Sequence, residues 1–546
     1  MNVMSRIRIA GKSRSTETDT TPASKRVMKD VVAVYLFFMF AIYPLYYEDK
    51  YYNMGDAKWH FFKWVTLIAV IVMFIVFTWY QLYLCKAGKV REYWDFGRTS
   101  LVDRAVMAYS FIVMTSFLLS PYKEYTLFGY DGWYMGLVSQ LAFVIIYYFV
   151  SRFWRWDEIV LTIYLAVSAA VFTICVLNRF MIDPLEMYEG LSEQYIINFI
   201  STLGQATWFS SYMVLLFPIG LFAYWQYDRP VIHILSGVYV LLGTVTMIAQ
   251  NSDSAIMAYG AIYLTLFCFS FKDTLRMQRF LECLILLFAG WKLMGILQMV
   301  YADRAVVLSG TMRTLSMGGI SWAGLAVSVI LLILYKRISG RQGFDLSRWK
   351  PVRAAVLIAV AALSLIVFVY IVLNTTGALA GTSFASDNNY LYFDEFWGNN
   401  RGSSWMVAAG TFLKSNLIRK LLGAGPDGFY NQVYRFYSDT LTAKWGENTV
   451  LTCAHNEWLN SLITGGILGF ITYTGIFVTA MARFAKFSDD TPETIAPVLC
   501  IIGYMFHNFF CYQQIICTPI IFIIIGAGEA MCRYGRREIW EPDGDL

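Results

Sequence analysis

The stretch AAVLIAVAALSLIVFVYIVLN, residues 354–374, decides the fold. It runs without a single charged side chain. A hydrocarbon core of about 30 Å is crossed by about 20 consecutive apolar residues in a helix. Lipid offers no hydrogen bonds, so the backbone must satisfy itself, and a lone segment does so only as a helix. A membrane barrel would alternate apolar and polar residues instead. Similar runs recur along the chain and predict fourteen spans (twelve to fourteen, since the last two form one tight pair): 31–47, 62–85, 105–120, 133–151, 159–178, 207–225, 231–250, 254–271, 280–301, 316–335, 354–374, 456–481, 494–511 and 515–532. The expected fold is an all-α polytopic membrane protein, in keeping with 58% hydrophobic and 15% charged residues.

Lysine and arginine orient the chain, because short loops on the cytoplasmic side retain them. With the N-terminus inside, the inner segments hold more than twice as many as the outer ones, and Lys336, Arg337, Arg341, Arg348, Lys350 and Arg353 cluster in one inner loop. Both termini are expected in the cytoplasm. Residues 1–30, polar, basic and rich in Ser and Thr, read as a disordered tail; 31–374 hold the first eleven spans, 456–532 the last three, and 533–546 a second tail. The first apolar run lacks a small-residue cleavage site and reads as a retained helix.

The net charge of +5 is a topology signal and no argument for nucleic acid. The nine cysteines form no CxxC and no His/Cys cluster. Most lie in or beside spans, where cysteine acts as a small apolar residue. No structural metal is expected.

The segment 375–455 is far longer than an ordinary connection, and such loops are functional or disordered. This one is rich in Trp, Tyr, Phe and Leu and is expected to be structured. Residues 404–422 have helical periodicity, suggesting an amphipathic helix at the interface. Gly423, Gly425 and Gly428, with Pro426, then force a turn. Arg401, beside Asn399, Asn400 and Trp405, is the leading anion-binding candidate; Arg304 and Arg313 lie in the outer connection before the tenth span. Guanidinium groups make forked bonds to phosphate oxygens and stay charged at any working pH. Lys414, Arg419 and Lys420 read equally well as the wet face of the amphipathic helix.

The run AHNEWLNSLITGGILGF, residues 454–470, places His455 where this loop enters an apolar helix. Imidazole, with an ordinary pKa near 6.5, can take or give a proton at neutral pH. The alternative is a helix entry capped by Asn456 or Thr452, with Glu457 at the positive end of the dipole. Within the membrane, Gln205 and Lys292 stand out, as does the run Asn251–Ser254. Ionisable groups at such depth are candidate sites, although Lys292 can also snorkel or pair locally.

Three stretches together resemble the O-antigen ligase and O-antigen polymerase superfamily of bacterial membrane glycosyltransferases. HNEWLNSLITGGILG (455–469) is similar to that family's histidine motif, RGSSWMVAAGTFLKSNLIRKLLGAGPDGFY (401–430) to its Arg-x-x-x-Trp helix followed by Gly-x-Gly-Pro, and STLGQATWFSSYMVLLFPIG (201–220) more weakly to its asparagine-rich stretch, with Gln205 and Thr207 where asparagines are usual. One departure is plain. Where the family carries a Ser-Arg pair thought to serve a diphosphate, this chain has Asn251, Ser252, Asp253 and Ser254.

The resemblance implies a glycosyltransferase of the bacterial cytoplasmic membrane that works on its outer face in surface polysaccharide biosynthesis. It would polymerise or ligate an undecaprenyl-diphosphate-linked oligosaccharide onto a glycan or lipid-linked acceptor, without metal or other cofactor. His455 would accept the acceptor's proton, and Arg401, with Arg304 or Arg313, would hold the departing diphosphate. Asn456 and Glu457 would orient the imidazole or bind sugar hydroxyls, with Gln205 and Gly425 completing the substrate contacts. The rival reading is a flippase for lipid-linked oligosaccharide. That would need internal repeats and polar groups at mid-membrane, whereas no repeat is visible and the polar residues gather on one face.

Overall fold

A computed structural model describes residues 21–447 and 449–540. Among these the chain is almost wholly helical; the one paired strand segment is a two-residue antiparallel hairpin, Phe199–Ile200 against Gly204–Gln205. Eleven helices are long and apolar enough to cross a membrane, from Ala23–Leu45 to Gly466–Phe487. They correspond to eleven of the fourteen expected spans.

The other three spans exist as helices of different character. Leu137–Phe153 is short, and Ile495–His507 shorter still. Thr518–Trp540 carries Glu529 and Arg533 and breaks at Gly535, where φ is 67°. Ile495–His507 is apolar because it lies inside the bundle, with nearly every side chain buried. A helix wrapped in protein has no lipid thickness to match. By contrast, the most apolar stretch of Leu346–Thr375 has none of its residues buried, whereas 83% of that in Ala206–Gln226 is. Periodic apolarity cannot tell a lipid-facing surface from a protein core.

The tail boundary also moves. The first helix begins at Ala23, so residues 23–30 belong to it; residues 1–20 and 541–546 of the expected tails lie outside the described residues. At its far end Lys58, fully buried, donates to the carbonyls of Tyr43 (2.7 Å), Pro44 (3.2 Å) and Tyr46 (2.5 Å). These are the orphan acceptors every helix end leaves. Lys292 does the same for the short helix Gly310–Met317, donating to Met317 O at 3.1 Å and Ser316 O at 3.3 Å. It is a local helix cap.

The end of the bundle remote from segment 375–455 is held by charge. Ser100 and Asp103 form a capping box on helix Leu101–Leu119. Asp103 also accepts from Tyr147 (2.8 Å) and pairs with Arg152 and Arg533. Glu529 pairs with Arg483 (2.7 Å) and Arg533 (3.2 Å). Four helices meet there. Removing one partner of a buried set leaves an uncompensated charge, costing about 3–5 kcal/mol. Asp103→Ala is therefore expected to destabilise the protein by about that amount, read as a lowered unfolding midpoint in detergent; an unchanged midpoint would show the cluster to be dispensable.

Candidate active site

Segment 375–455 folds as several short helices docked on the bundle. The expected single helix over 404–422 is broken: Trp397–Lys414 ends at Ser415, and Asn416 caps Leu417–Leu422 by accepting the N–H of Arg419 at 3.0 Å. Asparagine at a break competes with the helix for backbone groups and starts a new one. Arg419 donates to Leu119 O (2.7 Å) and Gly423 O (3.0 Å), which ties the segment to the bundle, and Lys414 sits over the Tyr437 ring at 4.0 Å.

The turn 423–428 then clamps the histidine motif. The N–H of Ala424 donates to Ile463 O (2.9 Å) and that of Gly425 to Thr464 O (3.0 Å). Those carbonyls are withdrawn from helix propagation. The expected continuous span 456–481 therefore splits into Glu457–Thr464 and Gly466–Phe487, with Gly466 at φ 68°. Gly425 is needed for close approach: its φ is 111°, and a Cβ there would lie 2.8 Å from Ser120 Oγ. Asp427, which the sequence reading passed over, is half-buried and accepts the N–H groups of Tyr130 (2.8 Å) and Met135 (3.1 Å). Burial pushes its carboxyl up to about 7 despite these bonds.

His455 takes a left-handed backbone conformation, φ 50°, immediately before this helix. Asn456 caps it, accepting the N–H of Leu459 at 3.1 Å, and Asn460 accepts the N–H of Ala454 at 3.3 Å. Glu457 points into the bundle, where it accepts the N–H of Gln513 at 2.8 Å while its own N–H donates to Asn508 O at 2.9 Å. Both residues flanking the imidazole on this side are thus spent on backbone. The ring itself, half-buried, packs edge-on to Tyr512 with centroids 5.3 Å apart.

A cavity of about 1040 Å³ opens in front of it. His455, Arg401 and Gln205 all line this cavity, although they come from three distant parts of the chain. Residues 398–400 bring Arg401 there through three successive left-handed positions, φ 58°, 64° and 67°, in Gly398, Asn399 and Asn400. Glycine and asparagine tolerate that region best. The guanidinium donates to Gly398 O (2.7 Å), lies over the Phe510 ring at 5.6 Å, and leaves its Nε without a partner. Burial lowers the Arg401 pKa from its usual value. Burial and then the Arg401 charge bring His455 down to about 4, so the imidazole is neutral at pH 7 and free to accept a proton.

The structure separates the remaining candidates from the cavity. Arg304 is exposed and pairs with Asp303 at 3.7 Å. Arg313 is also exposed, on the helix whose Gly310, Thr311 and Thr314 do line the cavity, but it does not line it. Asn456, Glu457 and Gly425 support the wall from behind. Four residues gain importance. Asp253 lines the cavity and accepts from Tyr390 OH (2.6 Å), Ser309 Oγ (3.1 Å) and Thr311 Oγ1 (3.3 Å). Beneath it Ser252 Oγ meets Ser254 Oγ (2.7 Å), which meets His507 Nε2 (3.1 Å). His507 lies within the apolar run 494–511, and nothing in its sequence surroundings marks it. Among the described residues no three His, Cys, Asp or Glu side chains gather as a metal site.

Residues 304–474 match the family model described as O-antigen ligase. The match takes in Arg401, the 423–428 turn and the histidine motif. It leaves out Asp253 and Gln205. No curated protein matches the chain.

Gly425 and Asn456 make packing and backbone contacts and do not line the cavity. Gly425→Ala is expected to lower the unfolding midpoint, since the added Cβ meets Ser120 and Thr126. Asn456→Ala should cost about 1 kcal/mol through the lost cap. If instead either variant keeps the midpoint and only raises the KM for substrate, that residue contacts the ligand.

Proposed function

Because residues 304–474 match the family model described as O-antigen ligase, we propose that this protein is a membrane glycosyltransferase. It would transfer a glycan from an undecaprenyl-diphosphate donor to a hydroxyl of a glycan or lipid-linked acceptor, on the outer face of a bacterial cytoplasmic membrane. The observation that carries this reading is that a neutral imidazole, His455, and a half-buried, partly unpartnered guanidinium, Arg401, line one cavity large enough for sugar rings.

In the proposed reaction the acceptor oxygen bonds to the anomeric carbon of the donor sugar. Its proton passes to a ring nitrogen of His455. The bond from that carbon to the diphosphate oxygen breaks, and the electron pair leaves with the diphosphate, whose growing charge Arg401 offsets by preorganised donors. The two groups are matched. Arg401 alone disfavours an imidazolium next to it, yet a diphosphate bound to Arg401 cancels that repulsion and raises the basicity of His455 when the donor is in place.

His455→Ala is expected to cut transfer by ~10²–10⁴-fold, the worth of a general base, while the protein still reaches the membrane. Polymer of normal length in cells carrying only this variant would sink the mechanism. Arg401→Lys should lose most of the activity, because a point charge cannot reproduce the fork. The pH profile has a definite sign. The base works when unprotonated, so kcat/KM should hold down to about pH 4 and fall below it. The kcat limb, which reports the complex, should lie at higher pH. Coincident limbs, or a kcat limb below that of kcat/KM, would remove the diphosphate from beside His455.

A further inference from the structure

The wall around Asp253 has the wrong chemistry for a phosphate and the right one for sugar hydroxyls. Phosphate oxygens at neutral pH are acceptors and need donors. A carboxylate is acceptor-only, with about four lone-pair sites. Three are used by Tyr390, Ser309 and Thr311, two of them on Oδ2 and one on Oδ1. Capacity remains on Oδ1, at the edge of the cavity. Around it Gln205, Asn389, Asn399 and Asn400 present side-chain amides with no hydrogen-bond partner among the described residues. Amides both donate and accept, as hydroxyls do. Trp445 and Tyr512 add flat apolar faces with polar edges, suited to the two-sided character of a sugar ring.

We propose that Asp253 and the surrounding amides form a glycan subsite that takes an uncharged sugar of the donor or acceptor by its hydroxyls, leaving Arg401 as the single diphosphate anchor of the cavity. The subsite rests on the glycosyl-transfer reading for its place in a reaction, but its ligand chemistry stands on these residues. The Asp253 charge makes it selective. It excludes uronic acids and other anionic sugars from this wall, and it lies close enough to Arg401 to feel its field. Lys292 secures the subsite from behind, through the carbonyls that end helix Gly310–Met317, whose Thr311 holds Asp253.

The test is ligand-observed NMR on the full chain in nanodiscs. The neutral probes are lactose, cellobiose and N,N′-diacetylchitobiose; the anionic ones are glucuronate and methylenediphosphonate. At least one neutral disaccharide should bind. Asp253→Ala and, with no buried contact to lose, Asn389→Ala should each weaken it at least tenfold, and Asp253→Asn should admit glucuronate. Arg401→Gln should abolish diphosphonate binding and spare the disaccharide. Failure of all three disaccharides to bind, or binding that survives both Asp253→Ala and Asn389→Ala, overturns the subsite. The two readings fail separately: Asp253-dependent disaccharide binding alongside a fully active His455→Ala would remove the transferase mechanism and leave the subsite, and the converse pair would do the reverse.

Discussion

The site depends on two backbone hydrogen bonds, from Ala424 to Ile463 and from Gly425 to Thr464. In a hydrocarbon setting a helix keeps its carbonyls for itself, because an unsatisfied group there costs several kcal/mol. Here two are handed to another segment, and the helix stops and restarts at Gly466. The short piece left behind, Glu457–Thr464, is fixed at one end by this clamp and at the other by the Asn456 cap. His455 is carried at its tip. The same turn anchors the segment that delivers Arg401. Base and guanidinium are thus positioned by one junction.

The electrostatics of the cavity follow from economy. It holds one arginine, one aspartate and one neutral histidine, and its other polar lining is mostly amides and hydroxyls. A charge in such a place is felt strongly, as the effect of Arg401 on His455 illustrates. Arg401 is held by a carbonyl and an aromatic face, and among the described residues no carboxylate reaches it within ion-pair distance. It is therefore left to interact with whatever enters. Asp253, in contrast, already accepts from three hydroxyls.

Much of this was legible in the residues. Eleven of the expected spans correspond to helices long and apolar enough to cross a membrane, and segment 375–455 carries helices of its own, because long apolar runs and clustered aromatics have few other solutions. His455, Arg401 and Gln205, singled out by residue type and setting, come together at one cavity. The other candidates lie elsewhere for physical reasons. Arg304 and Arg313 share the site's end of the chain's topology but point to solvent, and charge alone does not report side-chain direction. Asn456, Glu457 and Gly425 sit in the right motif, yet hydrogen-bond and packing needs consume them. Asp253 looked like an obstacle to an arginine's role and is instead part of the cavity wall. His507 was invisible, since one imidazole inside an apolar run leaves no periodic trace.

By itself, then, the sequence determined that this is a polytopic helical membrane protein with a histidine where a long structured loop re-enters the bundle, because chain length, apolarity and backbone satisfaction are local constraints. Only the tertiary structure decided which apolar helices face lipid and which are core, where the re-entering helix breaks, and which polar residues share a cavity. Those outcomes turn on contacts between segments such as 251–253, 388–401 and 451–455, which come from distant parts of the chain and meet only when the bundle closes.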